Sequence, residues 1–582
     1  MTKREKLLQK LLSFVLVLVM LLSIVGCTDP SDTGPTNLEG TFPTEPTTAP
    51  TTEPSTAPTT EPTQPTTQPT EPTQSTEPTE PAVDPSVLVY ELTQEDVDQF
   101  YILLEEAEAL ALLGEDIDLV DERTDELDEL YEYISAQCTI AMILHYCDLT
   151  DKQLEEQYLT CSDNLTSAYD AYIEMVRRIY LSDSPAKEKL FEDWTEEEIA
   201  QLLAYDGEIA ELNQRNTEIE VAYRTNTSDA VRIPLYIELV QNNNRIAQLY
   251  GYDNYYEYAY SQVYDRDYTT QELEQVRTYA KTYLASIFEN ALRNFNNSFY
   301  SLDSAQQKVV TDFLYTNYYR ARKNYVSAYI DFLPESAAAA MNQMLEVDST
   351  LTVSNNAEEG AFTTMIGDRS YVYFGPGYGN SATVVHEGGH YYASRYTDLG
   401  SMPLDLAEVH SQGNEWLFVH FLKDHMLSKP YEALVDYRIY NDMWIIMVSI
   451  MVDEFESKVY TTDISAYTAA DFDALMESVV TQYFDMRYAN NNLTDLNAYW
   501  REVVVKQPVY YISYGISAFT ALDLYLAAIE DFDAAMNAYV QLCENMDEEL
   551  GFLGNISAVG LSGPFEEEFY QELAEFVQQR RK

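Results

Sequence analysis

Apolar positions recur at helical spacing along most of this chain. From Leu92 to Leu113 they fall three and four residues apart with acidic residues between them, which predicts an amphipathic helix. Thr195-Glu196-Glu197-Glu198 and Thr269-Thr270-Gln271-Glu272 read as capping boxes, in which a hydroxyl accepts an early helix amide and a glutamate reaches back to the cap. Between roughly residues 85 and 350 the pattern gives helix after helix and no strong alternating strand. Only 8 prolines follow Pro85, so long stretches carry no breaker. Ser370-Tyr371-Val372-Tyr373-Phe374 differs, being short, aromatic and β-branched. It runs into Gly375-Pro376-Gly377-Tyr378-Gly379-Asn380, a strand followed by a glycine-rich loop. A further helix is expected from about Ser381. The expectation is a mainly α body with a small strand element beside that helix.

The pattern breaks down at the N-terminus. Lys3, Arg4 and Lys6 precede an apolar run that ends in Leu22-Ser23-Ile24-Val25-Gly26-Cys27. A basic start, an apolar stretch and a small residue before the cut describe a secretory signal over residues 1–26. A cysteine directly after Gly26 resembles a bacterial lipobox, which makes Cys27 the expected lipidation site and a lipid anchor the expected partner. The alternative is an uncleaved signal anchor. Either way the body is expected outside the cytoplasm, at the bacterial cell surface.

Residues 27–84 hold 13 of the 22 prolines, mixed with Thr and Glu, and no lysine or arginine. Such a segment cannot bury a core and reads as a disordered or polyproline stalk. The body that follows divides on the page into a helical part, 85–355, and a chemistry-bearing part, 356–582.

Composition adds two exclusions. The net charge is −63, from 34 basic and 97 acidic residues, which argues against nucleic acid or anionic lipid surfaces as partners. Beyond Cys27 there are only Cys138, Cys147, Cys161 and Cys543, too few for a disulfide framework, although the 138–161 region could hold one bridge. No obligate protein partner is evident. The 48 tyrosines are unusual, and suit helix packing and the lining of a wet channel.

The chemistry concentrates in His386-Glu387-Gly388-Gly389-His390. On a helix the two histidines lie one turn apart and about 40° around the axis, so both imidazoles can reach one zinc ion. Glu387 points to a neighbouring angle, where it can act on a metal-bound water as general base. A catalytic zinc needs a third protein ligand. Glu408, 18 residues after His390, is the candidate, and His410 is the rival. These two stand about 200° apart on one helix, so both cannot easily face the metal. Zinc-site geometry favours Glu408. Glu415 lies two turns further along the same face, placed to fix a ligand imidazole by a hydrogen bond. His420 and His425 read as surface or packing residues.

With these residues in place, the chain resembles the thimet oligopeptidase and oligoendopeptidase F family of zinc peptidases. Gly389 matches the glycine of the family's His-Glu-x-Gly-His helix. Glu408, Val409, Ser411, Asn414 and Glu415 match its Ala-Glu-Val-x-Ser-x-x-Asn-Glu helix in register. Arg245 to Thr270, with Leu249-Tyr250-Gly251-Tyr252-Asp253, looks like its helical region, and Tyr371 to Asn380 like its substrate-side strand and loop. The resemblance implies a helical body around a deep channel, one zinc ion, oligopeptide substrates cut at internal bonds, and peptide laid along an edge strand. It makes Tyr373, Gly375 and Gly377 expected substrate contacts. Pro508-Val509-Tyr510-Tyr511-Ile512-Ser513-Tyr514-Gly515 resembles the family's C-terminal tyrosine segment. That likeness gives Tyr514 the role of oxyanion donor and places Tyr510 and Tyr511 on the channel wall.

Two departures stand out. No histidine follows His425, where the family often has one before the tyrosine segment, and Gly388 replaces a bulky residue. The first keeps open a peptide-binding lipoprotein with weak or no catalysis. An angiotensin-converting-type peptidyl-dipeptidase also shares the tyrosine segment, but that class expects an acid where this chain has Gln412.

Overall fold

Thr93 starts the first helix. Its hydroxyl accepts the Asp96 amide at 3.3 Å and its own amide donates to the Asp96 carboxylate at 2.8 Å, so the helix expected from 92 begins at Gln94. A computed structural model of the chain describes residues 88–580 apart from 115–116, 193, 196–198, 201, 204–206, 225, 319–323, 398–401, 485–495, 497–498 and 506. The signal segment, Cys27, the stalk and the capping box expected at 195–198 lie outside the described residues. The box at Thr269 is present, with Glu272 accepting the Thr269 amide at 2.7 Å.

Three helices, α1 (Gln94–Leu113), α2 (Ile117–Cys147) and α3 (Lys152–Leu181), pack on one another around Phe100, Leu104, Leu127, Ile134 and Leu165. A second, larger apolar core runs from Ile219 to Val577. A third, smaller cluster joins Ile140, Met142, Ile143 and Tyr146 of α2 to Phe362, Tyr371 and Tyr373. The four described cysteines, among them the three of the 138–161 region where one bridge is possible, are free thiols.

After further helices between Lys187 and Glu346 the chain forms β1 (Ser349–Leu351), β2 (Ala361–Ile366) and β3 (Arg369–Phe374), then α4 (Ser381–Ala393), α5 (Leu404–Phe421), α6 (Ser428–Tyr460) and, beyond another helix at Ala469–Tyr483, α7 (Ile512–Glu530). The sheet order is β1-β3-β2. β1 runs parallel to β3, with Ser349 opposite Val372. β2 runs antiparallel to it, with Ala361 opposite Phe374 and Ile366 opposite Arg369.

This order places the strand expected on the substrate side in the middle of the sheet. β3 is the central strand, so its backbone groups are committed on both sides. Tyr373 is fully buried and its hydroxyl donates to the carbonyls of Tyr146 (3.0 Å) and Glu358 (2.7 Å). Gly375 donates its amide to Gly360 O at 2.7 Å, and a Cβ there would stand 2.2 Å from Glu358 O. Gly377 occupies a turn with φ +89°. Among the described residues no strand pairs the outer side of β1 or of β2, so both are edge strands, and β2 is the one that reaches the zinc-helix glutamate through Thr363.

Helix α7 is long and apolar enough to cross a membrane by composition, but most of it is buried against α5 and α6, as a core helix. Ser517 Oγ donates to Asp405 O at 2.6 Å, Gly413 lies beside Leu524, and Trp416 stacks on Tyr525 at 4.2 Å. Rising numbers on α5 therefore meet rising numbers on α7, and the two helices run side by side in the same direction.

Candidate metal centre

Asn380 caps α4 by accepting the amides of Ala382 and Thr383, both at 3.0 Å, so the helix starts where the sequence predicts. From Val384 to Ala393 every residue of α4 is buried. The helix crosses α5 closely because Gly389 lacks a side chain. A Cβ at this position would stand 2.2 Å from His410 O and 2.8 Å from Ser411 Cα. Gly388 faces a different neighbour: a Cβ there would meet the flexible end of Met341 at 2.8 Å. Asn414 fastens the crossing by donating its amide to Val385 O at 2.8 Å, while accepting the Tyr329 hydroxyl at 2.8 Å.

The crossing brings together the three expected ligands. Nε2 of His386 and Nε2 of His390 each lie 3.8 Å from Glu408 Oε2, and the ligand atoms of all three residues fall within 4.8 Å of one another. Two zinc bonds of about 2.0–2.2 Å at a tetrahedral angle place donor atoms about 3.4 Å apart, so the set is close to what one zinc ion requires. The outer sides of both imidazoles are held. His386 Nδ1 lies 2.9 Å from Glu415 Oε1, and the backbone of Ala407 hydrogen-bonds His390. This is the outer-partner arrangement that orients metal-ligating histidines. Ser411 Oγ donates to Glu408 Oε2 at 3.2 Å and steadies the third ligand.

The electrostatics fit a cation. Glu387, Glu408 and Glu415 are all buried, and Arg438 pairs with Glu415 at 2.9 Å. Burial pushes the His386 imidazole down. The hydrogen bond and charge of Glu415, with the charges of Glu387 and Glu408, outweigh it and bring His386 to about 10. Burial and the neighbouring His386 hold His390 well below its usual range. Three buried carboxylates around two imidazoles give the site the negative charge that a divalent ion would neutralise. The residues present therefore fit a two-histidine, one-glutamate zinc site.

The rival ligand is excluded. His410 is fully buried, directs Nε2 at Leu542 O (3.2 Å), and is pushed down to about 4 by burial. His420 stacks on Phe532 at 4.6 Å and His425 on Phe421 at 3.8 Å, both as packing residues.

Glu387 meets the sheet. Thr363 Oγ1, on edge strand β2, donates to Glu387 Oε2 at 2.7 Å. Nothing in the residue pattern singles out Thr363 or Arg438, because each reaches the site by long-range packing rather than by spacing. Tyr514 lies in the first turn of α7 and is buried, its ring edge-on to Tyr510 (5.3 Å) and Tyr511 (5.4 Å). Ser517, one turn later, holds the start of α5, and Glu408 stands one turn beyond Asp405. The tyrosine segment and the third ligand are thus carried on two directly bonded helices.

No known family profile matches the chain. No curated protein matches it in sequence. Solved structures do match in shape. PZ peptidase A, solved with an inhibitor, is 17% identical, with a TM-score of 0.65 over 86% of this chain and 100% of that one. A protein assigned as an oligoendopeptidase F is 19% identical, with a TM-score of 0.64 over 86% of this chain and 98% of that one. Another so assigned, from Bacillus anthracis, is 16% identical, with a TM-score of 0.63 over 84% and 97%. The chain thus has the mainly α fold of the oligoendopeptidases.

Proposed function

We propose that this chain is a zinc-dependent endopeptidase that hydrolyses internal bonds of short peptides outside the cytoplasm, tethered to the bacterial membrane through a lipidated Cys27. The observation that carries the reading is the convergence of His386 Nε2, His390 Nε2 and Glu408 Oε2 beside a buried Glu387 that is bonded to an edge strand. The oligoendopeptidase fold supports it.

His386, His390 and Glu408 would hold the ion. A zinc ion there would supply an acidified water and polarise the scissile carbonyl. Everything else is work for the side chains. Glu387 takes the water's proton and passes it to the leaving amine. Thr363 keeps the Glu387 carboxylate from turning away, since its hydroxyl is donated to one oxygen at 2.7 Å. Tyr514 donates its phenol to the developing oxyanion, and Tyr510 and Tyr511 form the wall behind it. An extended peptide pairs along the free edge of β2, where main-chain hydrogen bonds give affinity with little demand on side chains. Because β2 carries Thr363, a peptide on that edge is brought to Glu387.

A quenched fluorescent peptide library, with and without a chelator, tests the reading, and product masses decide the bond. Chelator-sensitive release of internal fragments is expected. Stepwise removal of carboxyl-terminal dipeptides would overturn the endopeptidase assignment. Zinc binding without chelator-sensitive cleavage would overturn the enzyme. Fractionation tests the tether: the protein is expected with membranes, and Cys27→Ala is expected to release it.

A further inference from the structure

Asp265 (φ +44°) and Val509 (φ +65°) are the two non-glycine residues with positive φ among the described residues. They are far apart in sequence, yet the residues flanking Asp265 are bonded to the backbone at Val509. Tyr264 donates its hydroxyl to Pro508 O at 2.7 Å, and Arg266 Nη2 donates to Val509 O at 3.0 Å. A β-branched residue in the left-handed region is strained and persists only where its surroundings over-determine it. Val509 is gripped from both sides, because its own amide donates to the buried Glu456 carboxyl at 2.8 Å.

Arg266 is the centre of this grip. Its side chain is 1% exposed and lies between the rings of Tyr260 (4.4 Å) and Tyr264 (4.6 Å). Nη2 also donates to Ser513 Oγ at 2.9 Å, in the first turn of α7. Its Nε stands 3.9 Å from Asp405 Oδ2, which accepts the Tyr268 hydroxyl at 2.7 Å. Asp405 opens the helix that carries Glu408. One guanidinium therefore touches the strained turn before Tyr510, the turn that carries Tyr514, and the helix that carries the third ligand.

We infer that Arg266 is a positioning residue for the tyrosine segment: through Val509, Ser513 and Asp405 it fixes where Tyr510, Tyr511 and Tyr514 stand relative to Glu408. Released from Arg266, Val509 relaxes out of the left-handed region and swings the segment that follows. A displacement of about 1 Å at a catalytic donor lowers turnover on the order of 100-fold. The catalytic consequence rests on the peptidase reading; the grip itself does not.

The test compares Arg266→Met and Arg266→Lys with wild type in the full chain, by zinc content, steady-state kinetics and amide hydrogen exchange over 508–514. Arg266→Met is expected to lower kcat on the order of 100-fold with KM nearly unchanged and one zinc retained, and to speed exchange at Val509 and Ser513. Arg266→Lys keeps the charge but loses the planar fork, so its kcat falls between the two. Adding Val509→Gly to Arg266→Met should restore part of the rate, because glycine holds a positive φ without strain; a merely structural role gives no such rescue. Unchanged kcat, or zinc and rate lost in proportion, overturns the inference. If Arg266→Met does not fold, Arg266→Lys with and without Val509→Gly decides on the same readouts. If wild type cleaves nothing, the peptidase reading fails, and unchanged exchange over 508–514 still overturns the grip.

Discussion

Gly389 lies directly against the carbonyl of His410, and this contact sets the distance between the helix that carries both histidines and the helix that carries Glu408. With 2.2 Å available to a Cβ, the obstacle is backbone and cannot rotate away. Gly389→Ala should therefore separate the helices, cost about 1–3 kcal/mol or more, and lower zinc occupancy. Gly388→Ala should do neither, since the end of Met341 can move. Thermal denaturation and metal analysis of the two variants check the contrast.

Glu415 holds His386 at 2.9 Å and is itself paired with Arg438. Glu415→Gln keeps the shape and removes the charge. Zinc affinity is expected to fall roughly 10- to 100-fold, measured by competition with a chromogenic chelator.

The Thr363 hydroxyl bonded to Glu387 is a donor to a charged acceptor, worth about 1.5–3 kcal/mol. Thr363→Val removes it with little change of volume. We expect kcat to fall at least roughly 10-fold while KM and zinc content hold, and Thr363→Ser to retain most of the rate.

Much of the centre was legible along the chain because a helix turns sequence spacing into geometry. His386, His390 and Glu387 needed only one helical turn, and Glu408, Glu415 and His410 only the phase of a second. The start of α4 at Ser381 was legible from Asn380 and the loop before it. The order of the sheet was not. Strand β3 has the stronger strand composition and leads into the zinc helix, but which strand is an edge depends on pairing with β1 and β2, both short and weakly patterned. Tyr373, expected at the peptide, is fully buried on the central strand. Thr363, Arg438 and Arg266 left no signal either, because their partners lie on distant parts of the chain. Gly388, which stands where the family has a bulky residue, is the place where Met341 packs.

Glu454 gives a pH dependence remote from the metal. Burial raises its pKa, but hydrogen bonds from Lys281, Tyr483 and Lys458 outweigh burial and lower it to about 2. Because the folded value is depressed below the unfolded one near 4.5, the stabilisation is present above that value and is lost as pH falls toward 2. Calorimetry between about pH 5 and about pH 3 should show the melting temperature of wild type falling more steeply than that of Glu454→Gln.

His386, His390 and Glu408 are expected to hold zinc while Glu387 moves the proton. Zinc content and peptide turnover, measured on the same preparations of wild type and Glu387→Gln, test it most directly. One zinc per chain is expected in both proteins, with turnover lower by roughly 100- to 10,000-fold in the variant. Wild type that holds no zinc when it is supplied, or Glu387→Gln that cleaves at the wild-type rate with its zinc in place, would contradict it.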